Sequence, residues 1–133
     1  MTKYAASFGI IAVIMMALDA LWIGVIAKSL YQQGIGHLMA ESPRLGAVAL
    51  FYAMYALGLM IFVVLPTSEA SNWHMPLMRG ALFGFFAYAT YDLTNLATLK
   101  DWPIGLSVLD IAWGSGASAA ASVGGYFAYH WAK

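Results

Sequence analysis

Hydrophobic positions along this chain fall into four long runs, covering about residues 4–27, 43–65, 76–99 and 103–131. Each is long enough to cross a hydrocarbon core of ~30 Å, which takes about 20 helical residues. A backbone in lipid must satisfy its own hydrogen bonds, so spans of this length are helical. Weak alternation within the runs argues against a barrel. Ser42-Pro43 reads as the cap and first residue of the second span, and Pro66 as its stop. The expected fold is all-α, a four-transmembrane-helix bundle forming one integral membrane domain over residues 1–133, with a short amphipathic segment between helices one and two.

The connections refine this picture. Between Lys28 and Glu41, Leu30, Tyr31, Ile35, Leu38 and Met39 can lie on the membrane surface while Gln32, Gln33 and His37 face water. Gly34 and Gly36 are expected to break any continuous helix there. The link from Lys100 to Trp102 is so short that the third and fourth spans form an antiparallel hairpin. Trp73, Trp102 and Trp131 stand near span ends, as an aromatic belt would. Lys3, Arg79 and Lys133 fall on one side and Lys28, Arg44 and Lys100 on the other, so positive charge sets no orientation. The first run is too long for a signal-peptide core and contains Asp19, and is read as a retained helix.

Composition agrees with a lipid environment. Of the 133 residues 62% are hydrophobic and 9% charged, against roughly 25% charged in soluble domains. Zero net charge gives no footprint for nucleic acid. With no cysteine there is no disulfide, thiolate metal site or Cys nucleophile. Phosphate loops, HExxH and EF-hand patterns are absent. No metal site or catalytic residue is assigned, and the cofactor is unknown.

The chemistry lies in three intramembrane aspartates. Asp19 stands nine residues before Lys28, Asp92 eight before Lys100, and Asp110 eight after Trp102. At 1.5 Å per residue all three lie roughly 12–14 Å below one membrane face. An ionisable residue inside a span is a functional-site hypothesis by default. Tyr52 and Tyr55 reach a similar depth on the second span. Tyr88 and Asn95 lie one turn from Asp92, and Trp22 and Trp113 one turn from Asp19 and Asp110, where their indole N–H groups can donate to a carboxylate. No lysine, arginine or histidine shares that depth, so either some carboxyls hold a proton or a cation sits among them. A hydrogen-bonded network that merely fixes helix register is the structural alternative.

The segments Asp19-x-x-Trp22-x-Gly24, Gly80-Ala81-x-x-Gly84, Tyr91-Asp92-x-Thr94-Asn95-x-Ala97-Thr98 and Asp110-x-x-Trp113-Gly114 together resemble a family of small bacterial predicted membrane proteins catalogued as a domain of unknown function. The resemblance covers essentially the whole chain. It implies a multi-pass protein of the bacterial cytoplasmic membrane with four helices, and supplies no activity.

Function therefore rests on the site. The leading reading is binding or transport of a proton, a cation or a cationic or amphipathic molecule. The second is an intramembrane enzyme acting on a lipid or isoprenoid, with aspartates as acid and base. The third is a structural or regulatory subunit of a membrane complex. Small residues at intervals of four on the last span, Gly114-Ser118-Ser122 and Gly116-Ala120-Gly124, allow close packing. They suggest a homodimer through the fourth helix, with membrane lipids as the other partners.

Overall fold

Each apolar run forms a helix, and together they make a structure without strands. In the computed structural model, which describes residues 1–133, five α-helices follow in order. They are α1 (Thr2–Leu21), α2 (Lys28–Ile35), α3 (Leu45–Leu59), α4 (His74–Thr98) and α5 (Ile104–Trp131). A π-helical turn, Trp22–Ile26, extends α1, and another, Met60–Val64, extends α3 into a 3-10 turn at Leu65–Thr67. Counting these extensions, Thr2–Ile26, Leu45–Thr67 and Ile104–Trp131 are long and apolar enough to cross a membrane. α4 is as long at 25 residues, but Arg79, Asp92, Asn95 and its threonines lower its hydropathy. Composition thus qualifies three helices, where four spans were expected.

The outer surface is apolar, and polar side chains are taken inside beside an apolar core of Ile11, Met15, Leu59, Val63 and Val64. Asp92, Ser7, Ser118 and Ser122 are fully buried, whereas Leu45 is 75% exposed and Val25 70%. Apolar side chains outside and polar ones inside are what hydrocarbon as solvent selects.

Several local expectations need correction. α3 begins at Leu45, because the chain is still extended at Arg44 and no side chain caps it; Ser42 is not the cap. Pro66 does not end its helix outright but sits in the 3-10 turn. There Thr67 donates to the carbonyls of Val63 and Val64 and Ser68 to that of Leu65, filling acceptors that a helix end leaves open. α2 runs through Gly34 and breaks at the second glycine of the pair, Gly36, where a 3-10 turn takes over. A Cβ at Gly34 would stand 2.7 Å from the Pro103 ring, so this glycine permits close approach of α2 to the hairpin joining α4 and α5. Ile35 is not on the membrane surface: it is buried beside Trp102 and Leu106. Trp102, expected in an aromatic belt, is buried too and donates to Ser107 Oγ at 2.8 Å. The hairpin turns on Asp101, whose φ of 61° is tolerated by aspartate better than by bulkier residues.

α5 is the central helix, packed along both α4 and α1. Its contact with α4 is backbone-close: a Cβ at Gly80 would meet Ser122 Oγ, and one at Gly84 would meet Ser118 Oγ and the Gly114 carbonyl, each at 2.5 Å. The Gly114-Ser118-Ser122 ridge is therefore used within the chain. In the other ridge, Gly116 and Ala120 face outward while Gly124 packs on Ile14. α3 is held differently. It lies on α1 and meets α4 and α5 through its π-helical end, while residues 45–51 are all exposed.

Candidate functional site: an aromatic cavity with two aspartates

The splayed first half of α3 leaves a cavity of about 720 Å³ between it and the other helices. Asp19, Trp22 and Ile23 line it from α1 and its π turn, Tyr31 from α2, and Ala47, Val48, Phe51, Tyr52 and Tyr55 from α3. Ala87, Tyr88 and Tyr91 close it from α4, and Asp110 from α5. Aromatic rings form most of the wall, and Asp19 and Asp110 are its two charged groups.

Every hydrogen bond to these carboxylates comes from a neutral aromatic donor. Tyr52 donates to Asp19 Oδ2 at 2.8 Å and Tyr88 to Asp19 Oδ1 at 3.4 Å. Trp22 Nε1 and the Tyr31 hydroxyl both donate to Asp110 Oδ1, at 3.1 and 3.0 Å. Neither oxygen pair receives a lysine, arginine or histidine; the chain's one ion pair, His37 with Asp101 at 3.5 Å, is exposed at the hairpin. Burial, and then the Asp110 carboxylate beside it, raise the Tyr31 pKa above the ordinary tyrosine range, which keeps this hydroxyl a donor.

The π turn explains how Trp22 reaches α5. Ala27 N–H bonds back five residues to the Trp22 carbonyl at 2.7 Å, so one extra residue is fitted into the turn and the helix face is rotated there. Trp22 consequently bonds to Asp110 across the helices, not to Asp19 one turn away on its own helix. Its ring stacks on Trp113 at 4.8 Å between centroids and 13° between planes.

Asp92 is placed differently from the other two. It does not line the cavity; it is fully buried in the α4–α5 contact, and neither of its carboxyl oxygens has a hydrogen-bond partner. The Asp110 carboxyl is its immediate charged neighbour. Ser107 donates to the Asp92 backbone carbonyl at 3.2 Å, tying α5 to α4 at this level.

Of the remaining expected site residues, Tyr55 lines the cavity and shares a 2.6 Å hydroxyl hydrogen bond with Ser118. Trp113 does not donate to a carboxylate: its indole N–H is buried without a partner, because stacking on Trp22 fixes its orientation. Asn95 is half-buried and outside the cavity wall. Tyr31 was assigned to the membrane surface and is instead a direct ligand of Asp110. Tyr91, Phe51 and Val48, which carry no charge or sequence pattern to mark them as site residues, also line the cavity. No group of three or more His, Cys, Asp or Glu side chains is close enough together to hold a metal ion.

Three helices long and apolar enough to span a bilayer, with large apolar side chains on their outer faces, define a membrane protein. The chain belongs to the family described as "Predicted membrane protein (DUF2177)", a family of unknown function, whose pattern matches residues 4–127. No curated protein and no solved structure has significant similarity to it.

Proposed function

We propose that this protein is a four-span membrane protein that binds, and as a dimer transports, an amphipathic organic cation in the cavity between α1, α3, α4 and α5. The observation that carries the reading is the pairing of Asp19 and Asp110 with aromatic walls and no basic side chain. Aromatic faces attract cations, and an organic cation suits such a wall because its apolar parts replace the hydration that a bare ion would lose. A volume of about 720 Å³ matches a small organic ligand and exceeds what a coordinated ion requires. The donor set agrees, since no three His, Cys, Asp or Glu side chains come together as a metal site.

Insertion of α4 as the fourth span is supported by its surface. Met78, Leu82, Phe85, Phe86 and Leu93 are exposed on it. Thr90, Thr94 and Thr98 are exposed as well, yet each hydroxyl donates to the carbonyl four residues earlier, at 2.6, 2.5 and 2.7 Å. A self-satisfied hydroxyl can face lipid at little cost. Four helices are few for alternating access, which generally uses two moving halves. A second copy docked on the outward Gly116 and Ala120 face would supply the other half, in a bacterial cytoplasmic membrane.

The test is equilibrium binding of tetraphenylphosphonium to the purified protein in mild detergent. Saturable binding that Asp110→Asn weakens at least tenfold, with helix content unchanged, is the expected result. Equal binding by wild type and by a double Asp19→Asn, Asp110→Asn variant would sink the reading.

A further inference from the structure

The two carboxylates of the cavity are unequally provided with donors. On Asp19 each oxygen has its own, Tyr88 on Oδ1 and Tyr52 on Oδ2. On Asp110 both donors, Trp22 Nε1 and the Tyr31 hydroxyl, converge on Oδ1, and Oδ2 receives none. Packing holds those donors in place. Trp22 is stacked on Trp113, and Tyr31 is carried by α2, which Gly34 seats against Pro103. The carboxyl group is thereby fixed in one rotation, with Oδ1 toward the two donors. Asp110 as a residue is only 4% exposed, yet its Oδ2 is not sealed. The carboxyl oxygens that are sealed without a partner both belong to Asp92, outside the cavity wall, whereas Asp110 Oδ2 opens on the cavity that its residue lines. A largely buried acceptor left without a donor costs free energy, which a donor entering the cavity would recover.

We propose that the cavity selects organic cations whose charged centre carries an N–H, that is, protonated primary, secondary or tertiary amines, and that this N–H donates to Asp110 Oδ2. The inference deepens the reading above and rests on it: it names the head group of the cation. An ionised carboxylate, the form that pairs with a cation, can only accept hydrogen bonds, so Oδ2 is matched by a donor. A bond between a charged N–H and a carboxylate is shorter and stronger than one between neutral groups. A quaternary ammonium or a phosphonium brings the same charge but no donor, and leaves Oδ2 unpartnered behind a shell of carbon. The aromatic walls attract either kind of cation, so the discrimination falls on one oxygen atom. Asp19, with both oxygens engaged by tyrosines, adds negative charge to the cavity without choosing the head group.

A matched pair of probes isolates the N–H: the dimethylammonium and trimethylammonium forms of one diphenylalkyl amine. They share charge and apolar body, and differ by a methyl group in place of a proton. At neutral pH an aliphatic amine holds that proton. Titration calorimetry of the wild-type protein in mild detergent should show the dimethylammonium form bound about tenfold or more tightly. Asp110→Asn keeps the side-chain shape. Its amide oxygen stays with Trp22 and Tyr31, and an NH2 group then stands where Oδ2 was, so the acceptor becomes a donor. The preference should vanish or reverse in that variant. Asp19→Asn should weaken both probes and leave their ratio at the wild-type value. Equal or tighter binding of the trimethylammonium form by wild type, a comparison that uses no variant, overturns the N–H requirement while leaving cation binding intact. A preference undiminished in Asp110→Asn, or lost in Asp19→Asn, overturns the assignment to Asp110 Oδ2. Absence of binding of either probe by wild type overturns both this inference and the reading beneath it.

Discussion

A single methyl group at Gly84 should unfasten the two helices that carry Asp92 and Asp110. A Cβ built there lies 2.5 Å from both the Gly114 carbonyl and Ser118 Oγ, and 2.6 Å from Ser118 Cβ. Ordinary contact begins near 3.4 Å, so α4 and α5 would have to part by about 0.9 Å. The carbonyl belongs to α5's backbone and cannot rotate aside as a side chain would. Overpacking of this kind costs about 1–3 kcal/mol. Against it stands the helix propensity gained by replacing glycine with alanine, about 1 kcal/mol. Gly9→Ala is the matched control, for it lies mid-helix on α1 with nothing within 4 Å of its Cβ. Both variants share the propensity gain, so the difference between them isolates the clash. Gly84→Ala should be less stable than Gly9→Ala by about 2 kcal/mol, a roughly 30-fold change in the folded ratio. The assay is denaturation in mixed micelles followed by helical circular dichroism. The damage should extend to the cavity, because Tyr88, which donates to Asp19, packs its ring on Gly114. Equal stabilities for the two variants would refute the reasoning.

Two further outcomes are expected. Tyr31→Phe should weaken probe binding about three- to tenfold through loss of one donor to Asp110, the net worth of a hydrogen bond being ~0.5–1.5 kcal/mol; unaltered affinity would argue against a place for α2 in the site. Because the Tyr31 pKa is raised on folding, its stabilising contribution is complete below the unfolded tyrosine value near ~10 and is lost as pH climbs through the higher folded value. The stability of wild type relative to Tyr31→Phe should accordingly fall above that pH, and a rise in alkaline denaturation series would contradict the assignment. Ser107→Ala should destabilise the α4–α5 hairpin by about 1–3 kcal/mol, since it leaves the buried Trp102 indole N–H and the Asp92 carbonyl without their shared partner. Thermal melts within experimental error of wild type would show that this bridge carries no energy.

The limits of sequence reading here follow from the physics of helix pairs. Run lengths located the four long helices to within about two residues, because hydrophobic extent is a direct property of the chain. Counting from the span ends puts Asp19, Asp92 and Asp110 at one level, and of these Asp19 and Asp110 line one cavity. Which side chain meets which across a helix pair depends on crossing angle and rotation, and these are tertiary quantities. A π turn inserted between Asp19 and the end of α1 changes the rotation without any distinctive residue to announce it. That is why Trp22 was matched to the aspartate nearest in sequence and in fact bonds to the one on α5. Tyr31 was missed for another reason. A tyrosine just beyond a span end has the profile of an interfacial anchor, and only the fold of α2 back over the cavity, permitted by Gly34 against Pro103, reveals its inward course. Asp92 stands as far from its span end as its companions do; the difference between a wall and the layer behind it is one of helix phase.

The loose first half of α3 has a consequence for how the cavity is reached. Val48 and Phe51 line it and are also 38% and 44% exposed, and Tyr91 across the gap on α4 is 53% exposed. In the proposed four-span arrangement the opening between them would face sideways, toward acyl chains. A molecule entering by that route dissolves in the bilayer first and is captured from there. Its effective concentration is then its aqueous concentration multiplied by its partition coefficient, so compounds with identical cationic heads should rank by their solubility in lipid. Thickening or ordering the bilayer would tune capture without altering a single contact inside the protein, making the surrounding membrane part of the selectivity.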